Sequence, residues 1–262
     1  MANIAKIQVG IDGQVPPPSD MKFLFETSTT QQYTIGQRVC CSNGAVFHYA
    51  YALTALTANT FASTATIAAG NKGNYILGSG TTSGYGGVAG DMQCRIKASN
   101  AAITENQFQG GQYVIASHTG SLNSIQNLFI KSHPAAATNT ECILQLENPV
   151  LHPIDSRSSG NLIPNPFYEV QAYDATPEAY AIGLAVTTVA ATSYCWLQTW
   201  GPNAAKNSAA PTKVGGQIIC GSTTGGVVTS AVNPAYYPLV GFAGPVAGAA
   251  NALTPMFITL VP

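Results

Sequence analysis

Charge is what this chain lacks most. Past Ala179 the only ionised side chains are Lys206 and Lys213, and residues 214–262 hold no Asp, Glu, Lys, Arg or His. Charged residues make up 8% of the whole, against about 25% in an ordinary globular chain. Proton transfer, metal ligation and phosphate binding rest mostly on those groups, so the last third is excluded as a carrier of such chemistry. The ten Lys and Arg are scattered and form no basic stripe, which excludes a strong electrostatic grip on nucleic acid. Long apolar runs are missing too. Ala181–Leu197 falls short of the roughly 20 residues a membrane helix needs and is broken by Thr187, Thr188, Thr192 and Ser193, so it reads as strands. The opening MANIAKIQVGIDGQVPPPSD has neither a long apolar core nor a cleavage pattern, and no signal peptide is read there. Cys40, Cys41, Cys94, Cys142, Cys195 and Cys220 show no CxxC or Cys/His ligand spacing, and are expected to be reduced, small core-filling thiols.

What is present is apolar mass, hydroxyls and turns. At 262 residues and 46% apolar the chain buries about 70–75% of its unfolded surface without staples. Residues 1–33 read as an extended arm, because Val15-Pro16-Pro17-Pro18-Ser19 cannot pair as a central strand. Such an arm is expected to order only against another subunit or a partner. Val39–Cys41, the Ser42-Asn43-Gly44 turn and Val46–Tyr51 predict a hairpin with Phe47, Tyr49 and Tyr51 on one face. Period-2 patterns predict strands at Tyr113–Ser117, Leu128–Ser132 and Cys142–Glu147. Residues 54–70 read as a short helix or a loop, and the proline-rich Asn148–Pro166 as a long crossover. Past Ala179 short strands are expected at 182–189, 194–200, 217–220, 227–229, 239–243 and 256–261. The fold class is all-β: the arm, a β-rich sandwich or barrel-like module over 34–164, and a small β-barrel-like module over 165–262.

Candidate chemistry is sparse. His48 sits in mid-strand as a surface or hydrogen-bonded residue, and His133-Pro134 and His152-Pro153 mark turns. With His118 they lie far apart in sequence without ligand spacing, so no metal site is expected. Glu141, Glu147, Asp155 and Glu169 fall on alternating strands or the crossover and do not form an evident glycosidase pair. No nucleophile setting surrounds any cysteine, and the glycines of SGYGGVAG and GGQIICGS are turn glycines rather than phosphate cradles. Trp196 and Trp200, spaced to share a strand face, read first as core anchors and second as subunit-contact aromatics. No cofactor, and no enzymatic activity, is expected.

Several short segments together resemble structural proteins of tailed-bacteriophage heads. They are Ile35–Val39 followed by Gly44–Ala50, then Gln109–Val114, Ile130–His133, Leu144–Pro149 and Leu162–Phe167. The stronger part is Ile182–Ala185, Trp196-Leu197-Gln198-Thr199-Trp200-Gly201-Pro202, Val240–Ala243 and Phe257–Leu260. Cys40-Cys41-Ser42 departs from it, where an acidic turn is more usual. The resemblance implies a capsid decoration (cement) protein on the outer head surface, assembled in the host cytoplasm. Its expected partners are the major capsid protein and itself, as a homotrimer rather than a dimer, with neither nucleic acid nor membrane. It brings no catalytic residues. Val15, Pro16, Pro17, Pro18, Trp196 and Trp200 are the interface candidates. The competing expectation is a head fibre or tail adhesin that stacks host glycans on Trp196, Trp200 and tyrosines.

Overall fold

The computed structural model describes residues 18–64, 75–76, 87–97, 102–119, 122–154, 159–173, 180–207, 214–220, 226–229, 239–245 and 252–260. Among these there is no α-helix, and the fold is all-β, with a curled half-barrel sheet and a second sheet. The strands are β1 (Arg38–Cys40), β2 (Val46–Ala52), β3 (Thr60–Ser63), β4 (Tyr75–Ile76), β5 (Gln93–Lys97), β6 (Gln112–Thr119), β7 (Leu122–Ser132) and β8 (Glu141–Leu146). They continue as β9 (Ser159–Ile163), β10 (Gln171–Ala172), β11 (Ala181–Ala185), β12 (Ser193–Lys206), β13 (Gln217–Cys220), β14 (Val227–Thr229), β15 (Leu239–Ala243) and β16 (Leu253–Thr259).

The chain divides into two compact units, one from Met1–Thr66 with Pro166–Pro262 and one from Ile67–Asn165. One change of unit falls between Asn165 and Pro166. The 34–164 module is not contiguous, however: its first strands belong with the C-terminal half. The reason is the pairing of β2 with β12, which runs from Ala52↔Ser193 to Val46↔Trp200.

In the discontinuous unit ten strands form one sheet, ordered β10-β3-β11-β12-β16-β15-β13-β14, with β2 on β12 and β1 on β2. The predicted hairpin is β1–β2. Gly44 takes φ +80°, which only glycine adopts cheaply, and Asn43 Oδ1 accepts the Ala45 N–H at 3.0 Å to close the turn. The stretch read as a short helix or a loop contains a strand: Thr60–Ser63 is β3, whose Phe61 and Ala62 are fully buried between neighbours, and residues 65–70 lie outside the described residues. The uniform Thr-Phe-Ala-Ser run hides the alternation that normally marks a strand.

Residues 18–33 differ from the arm expectation. Pro18–Phe25 is a 3-10 turn and Ser28 pairs with Tyr194 through two backbone hydrogen bonds of 3.1 and 2.7 Å. Leu24 is 2% exposed, and the rings of Phe23 and Tyr33 lie 5.6 and 5.2 Å from Trp196. The apolar Met21–Phe25 run explains this. Burying a leucine is worth about 1.5–3 kcal/mol, and each edge-on aromatic contact roughly 0.5–1.5 kcal/mol more, so this stretch binds its own chain. Val15, Pro16 and Pro17 lie outside the described residues.

The second unit is an antiparallel sheet ordered β4-β9-β6-β7-β8-β5. The predicted alternation holds: Cys142, Leu144 and Leu146 point into a core with Tyr113, Ile115, Leu128 and Ile130. Three strands were not expected: β4, which pairs with β9, together with β5 and β9 themselves. β5 pairs with β8, and β9, inside the presumed crossover, pairs with β6. Ser-Gly-Asn-Leu-Ile lacks a strand signature, and Gly160 is needed because an added Cβ would meet the Tyr113 ring at 2.6 Å.

β12 carries a bulge between Gln198 and Trp200. Just past it Gly201 holds φ +97°, and a Cβ there would lie 2.8 Å from Ala45 Cα and 3.0 Å from Gly44 O. Backbone atoms cannot step aside as a side-chain tip can. Gly201→Ala is therefore expected to destabilise the protein by about 2–3 kcal/mol, lowering Tm by roughly 5–10 °C. Calorimetry checks this, and an unchanged Tm would refute the account of the bulge.

Candidate functional site

The bulge decides where the two tryptophans go. Trp196 is opposite Tyr49 and Gln198 opposite Phe47, but Trp200 is opposite Val46. Because neighbouring residues of a strand face opposite ways, Trp200 is turned to the other face from Trp196. The shared face read from their spacing is thus corrected: one unpaired residue reverses the alternation. Trp196 is 2% exposed among Phe23, Tyr33 and Tyr49 and offers nothing to a partner. Trp200 is half-buried, its ring edge-on to Phe257 at 5.6 Å. Pro18 opens the 3-10 turn.

Gln198 holds the bulge. Its Nε2 donates to the carbonyls of Trp200 at 3.0 Å and Pro202 at 3.1 Å, and its Oε1 accepts from Asn203 Nδ2. Asn203 Oδ1 in turn accepts the Ala204 N–H at 2.7 Å. A side-chain amide that is 1% exposed is thereby fully bonded, as a buried polar group must be. Beside this network opens a cleft of about 490 Å³. One wall is Met21, Leu24 and Phe25, another is Cys41–Asn43 with Ala45 and Phe47, and Asn59, Val186, Pro202 and Asn203 complete it.

Beyond the bulge the sheet presents an apolar outer face. Phe242 is the cross-strand partner of Phe257, Phe257 of Pro202, and Pro255 of Ala204. Phe242, Phe257 and Leu253 are 42%, 41% and 53% exposed. Lys206, opposite Leu253, is the charged side chain of this face among the described residues. The sequence reading places a strand at 256–261, but no sequence signal separates an exposed Phe257 from a buried one.

Of the four histidines, His48 and His133 are buried and hydrogen-bonded. His48 is buried, stacked on Phe167 at 4.6 Å and 3°, with Nδ1 3.1 Å from Thr199 Oγ1. Burial, with the Arg38 charge adding, pulls its pKa from 6.5 to about 4. His133 Nε2 accepts the Phe108 N–H at 2.9 Å while Nδ1 donates to the Pro134 carbonyl, which fixes a neutral tautomer. Burial lowers its pKa as well. His152 is exposed, and the His118 side chain lies outside the described residues. Among the described residues no group of three or more His, Cys, Asp and Glu is placed to hold a metal ion.

All six cysteines are free; Cys40 is exposed and the other five are buried, as adjacent residues facing opposite ways require of Cys40 and Cys41. Burial pushes the thiols of Cys94 and Cys195 up to about 12 and that of Cys142 to about 11, which keeps them protonated and weakly nucleophilic. Glu141 pairs with Arg95 at 3.4 Å on the surface. Glu147 lies six residues further along, about 20 Å in an extended strand, beyond the spacing of a glycosidase pair. Glu169 belongs to the other unit and Asp155 lies outside the described residues. No helix among the described residues is long and apolar enough to cross a membrane. Comparison with protein-family models, with curated proteins and with solved structures finds no match.

A base whose pKa is lower in the folded chain binds fewer protons there than when unfolded. Stability from neutral His48 is therefore full above about pH 6.5 and is lost as pH falls toward about 4. Tm measured from pH 7 to 4 is expected to decline across that window, and less steeply in His48→Asn, which keeps a partner for Thr199. An identical decline in the variant would show that His48 is not the responsible group.

Proposed function

We infer that this protein is a virion structural protein, a capsid decoration (cement) protein that binds the outer surface of a phage head shell and bridges neighbouring capsomers. The observation that carries this reading is the outer face of β12, β15 and β16, where Trp200, Pro202, Phe242, Pro255 and Phe257 adjoin with Lys206 at the margin. Contiguous exposed apolar surface of this kind marks interaction sites, and depletion of charge with aromatic enrichment is the composition of an interface centre. The low charge of the chain supports the same reading. A standard interface buries about 1,600 Å², and ions dried over that area cost several kcal/mol each, whereas neutral amides and hydroxyls exchange water bonds for protein bonds. A homotrimer multiplies weak contacts through effective concentration. The role is one of contact, without catalysis, cofactor, nucleic acid or membrane.

The adhesin reading loses one of its stacking rings, since Trp196 is sealed inside the core. Copy number separates the two classes: hundreds of subunits spread over the shell support decoration, and a few at a vertex or tail overturn it.

Contacts made of neutral groups resist screening. The Debye length shrinks from about 10 Å at 0.1 M salt to about 3 Å at 1 M, yet retention on purified heads is expected to change less than roughly two-fold. Phe257→Asp, at a half-exposed position, is expected to weaken head binding at least about ten-fold while moving stability by less than about 1 kcal/mol. Salt-released subunits, or a Phe257→Asp protein that binds normally in a sedimentation assay, would refute the neutral-contact mechanism.

A further inference from the structure

The cleft beside Gln198 is lined by groups that hydrogen-bond without carrying charge. No Asp, Glu, Lys, Arg or His lines it, and burial pushes the Cys41 thiol up, so that it stays protonated. An ionised ligand would lose its water there and meet no counter-charge, which is costly. The occupant is therefore neutral.

The polar groups of the cleft divide into spent and available ones. Gln198 is spent, its Nε2 on the carbonyls of Trp200 and Pro202 and its Oε1 on Asn203 Nδ2. Asn43 Oδ1 and Asn203 Oδ1 hold the N–H groups of Ala45 and Ala204, which leaves their amide nitrogens as donors. The Ser42 hydroxyl and the Asn59 side-chain amide make no hydrogen bond among the described residues, and each brings a donor and an acceptor. Asn59 is pinned at φ +62° by its N–H, 2.7 Å from the Ala185 carbonyl, and by its own carbonyl, 2.9 Å from the Lys206 nitrogen. A purely apolar molecule would dry these groups without replacing their water bonds, and a ligand of acceptors alone would leave the Ser42 and Asn59 oxygens unmatched. Hydroxyl groups answer both needs, because each donates once and accepts as well.

The other walls are apolar: Met21, Leu24, Phe25, Phe47, Val186 and Pro202. Phe25 is 57% exposed, so its ring is open to contact. A sugar ring joins hydroxyls around its edge to C–H groups on its face, and the cleft of about 490 Å³ is of the size, roughly 300–1,000 Å³, that small-molecule sites take. A peptide suits it less well. Extended peptides are held through rows of backbone groups, and here the N–H groups of Gly44, Ala45, Asn59 and Ala204 are already bonded. We propose that this cleft binds a neutral saccharide, with its hydroxyls bonded to Ser42, Asn43, Asn59 and Asn203 and the apolar face of its ring against Phe25. The site goes beyond the virion reading and does not rest on it; of the contact face, Pro202 alone also lines the cleft.

The test applies the purified full chain, with no heads present, to an array of neutral oligosaccharides printed beside sialylated, uronic and sulfated ones. Neutral glycans are expected to retain the protein and acidic ones not, and the best neutral one to titrate in calorimetry with Kd near or below about 1 mM. Asn59→Gly removes the amide at a backbone angle that glycine adopts freely, and Ser42→Ala removes an exposed hydroxyl. Each is expected to weaken that binding about three- to ten-fold, with Tm moving by less than about 3 °C. Added sugar is expected to shift the backbone amide resonances of residues 42–45, 59 and 198–204, and to leave that of Ile125, in the other unit, in place. Retention on no glycan, preference for acidic glycans, parental affinity in either variant, or resonance shifts confined to other residues each overturn the proposal. Any of these results leaves the virion reading standing, and failure to bind heads would leave this site standing.

Discussion

Everything in the larger unit depends on one long-range pairing, that of Val46–Ala52 with Ser193–Trp200. It joins segments nearly 150 residues apart, and residues 67–165 form their own unit between them. Closing so long a loop is entropically costly, although the cost rises only logarithmically with length. The contacts that offset it are local to the seam. Tyr49 lies 5.1 Å from Trp196 and stacks on Tyr194 at 5.9 Å, and His48 on the opposite face reaches Thr199. Both faces of β2 are buried, so neither set of side chains can be satisfied unless β12 is in register. The turn at Pro18–Phe25 then seals the aromatic side with Phe23 and Leu24.

The same seam creates the surface on which function is proposed. Without the bulge, Trp200 would follow Trp196 to the inner face, and the outer face of β12 and β16 would lose its aromatic corner. The bulge is held by Gln198 bonding two carbonyls of its own strand and by a glycine that tolerates φ +97° against Ala45. A polar residue that is 1% exposed thus sets which aromatic is core and which is surface. That is specificity obtained from hydrogen bonds, not from apolar burial.

Local signals in the sequence were read well, and non-local ones were not. The Asn-Gly hairpin, the alternation of Cys142, Leu144 and Leu146, and the strands at 217–220, 227–229 and 239–243 follow from turn chemistry and period-2 patterning, both properties of neighbouring residues. β3 and β9 escaped because a strand buried on both faces, or one with glycine under a ring, has no alternation to display. The discontinuous unit escaped for a different reason: nothing local reports that Val46–Ala52 has its partner in β12. The candidate site was half legible. The tryptophans could be singled out, whereas their separation by the bulge, and the amide network beside the cleft, arise only when β2 and β12 meet.

A chain this poor in charge must also keep its few reactive groups from acting. His133 is held neutral by two backbone partners, His48 by burial, and the buried thiols by desolvation that raises their pKa. Each has a structural setting, and among the described residues no group of three or more His, Cys, Asp and Glu is placed to hold a metal ion. Cys41 lines the cleft, yet it is buried and its thiol is pushed up rather than down. The polar groups that remain available are amides and hydroxyls, which bind neutral partners at low desolvation cost but do not move protons. On the contact role proposed above, affinity comes from shape, apolar contact and repetition, which the exposed Phe242–Phe257 face is suited to supply.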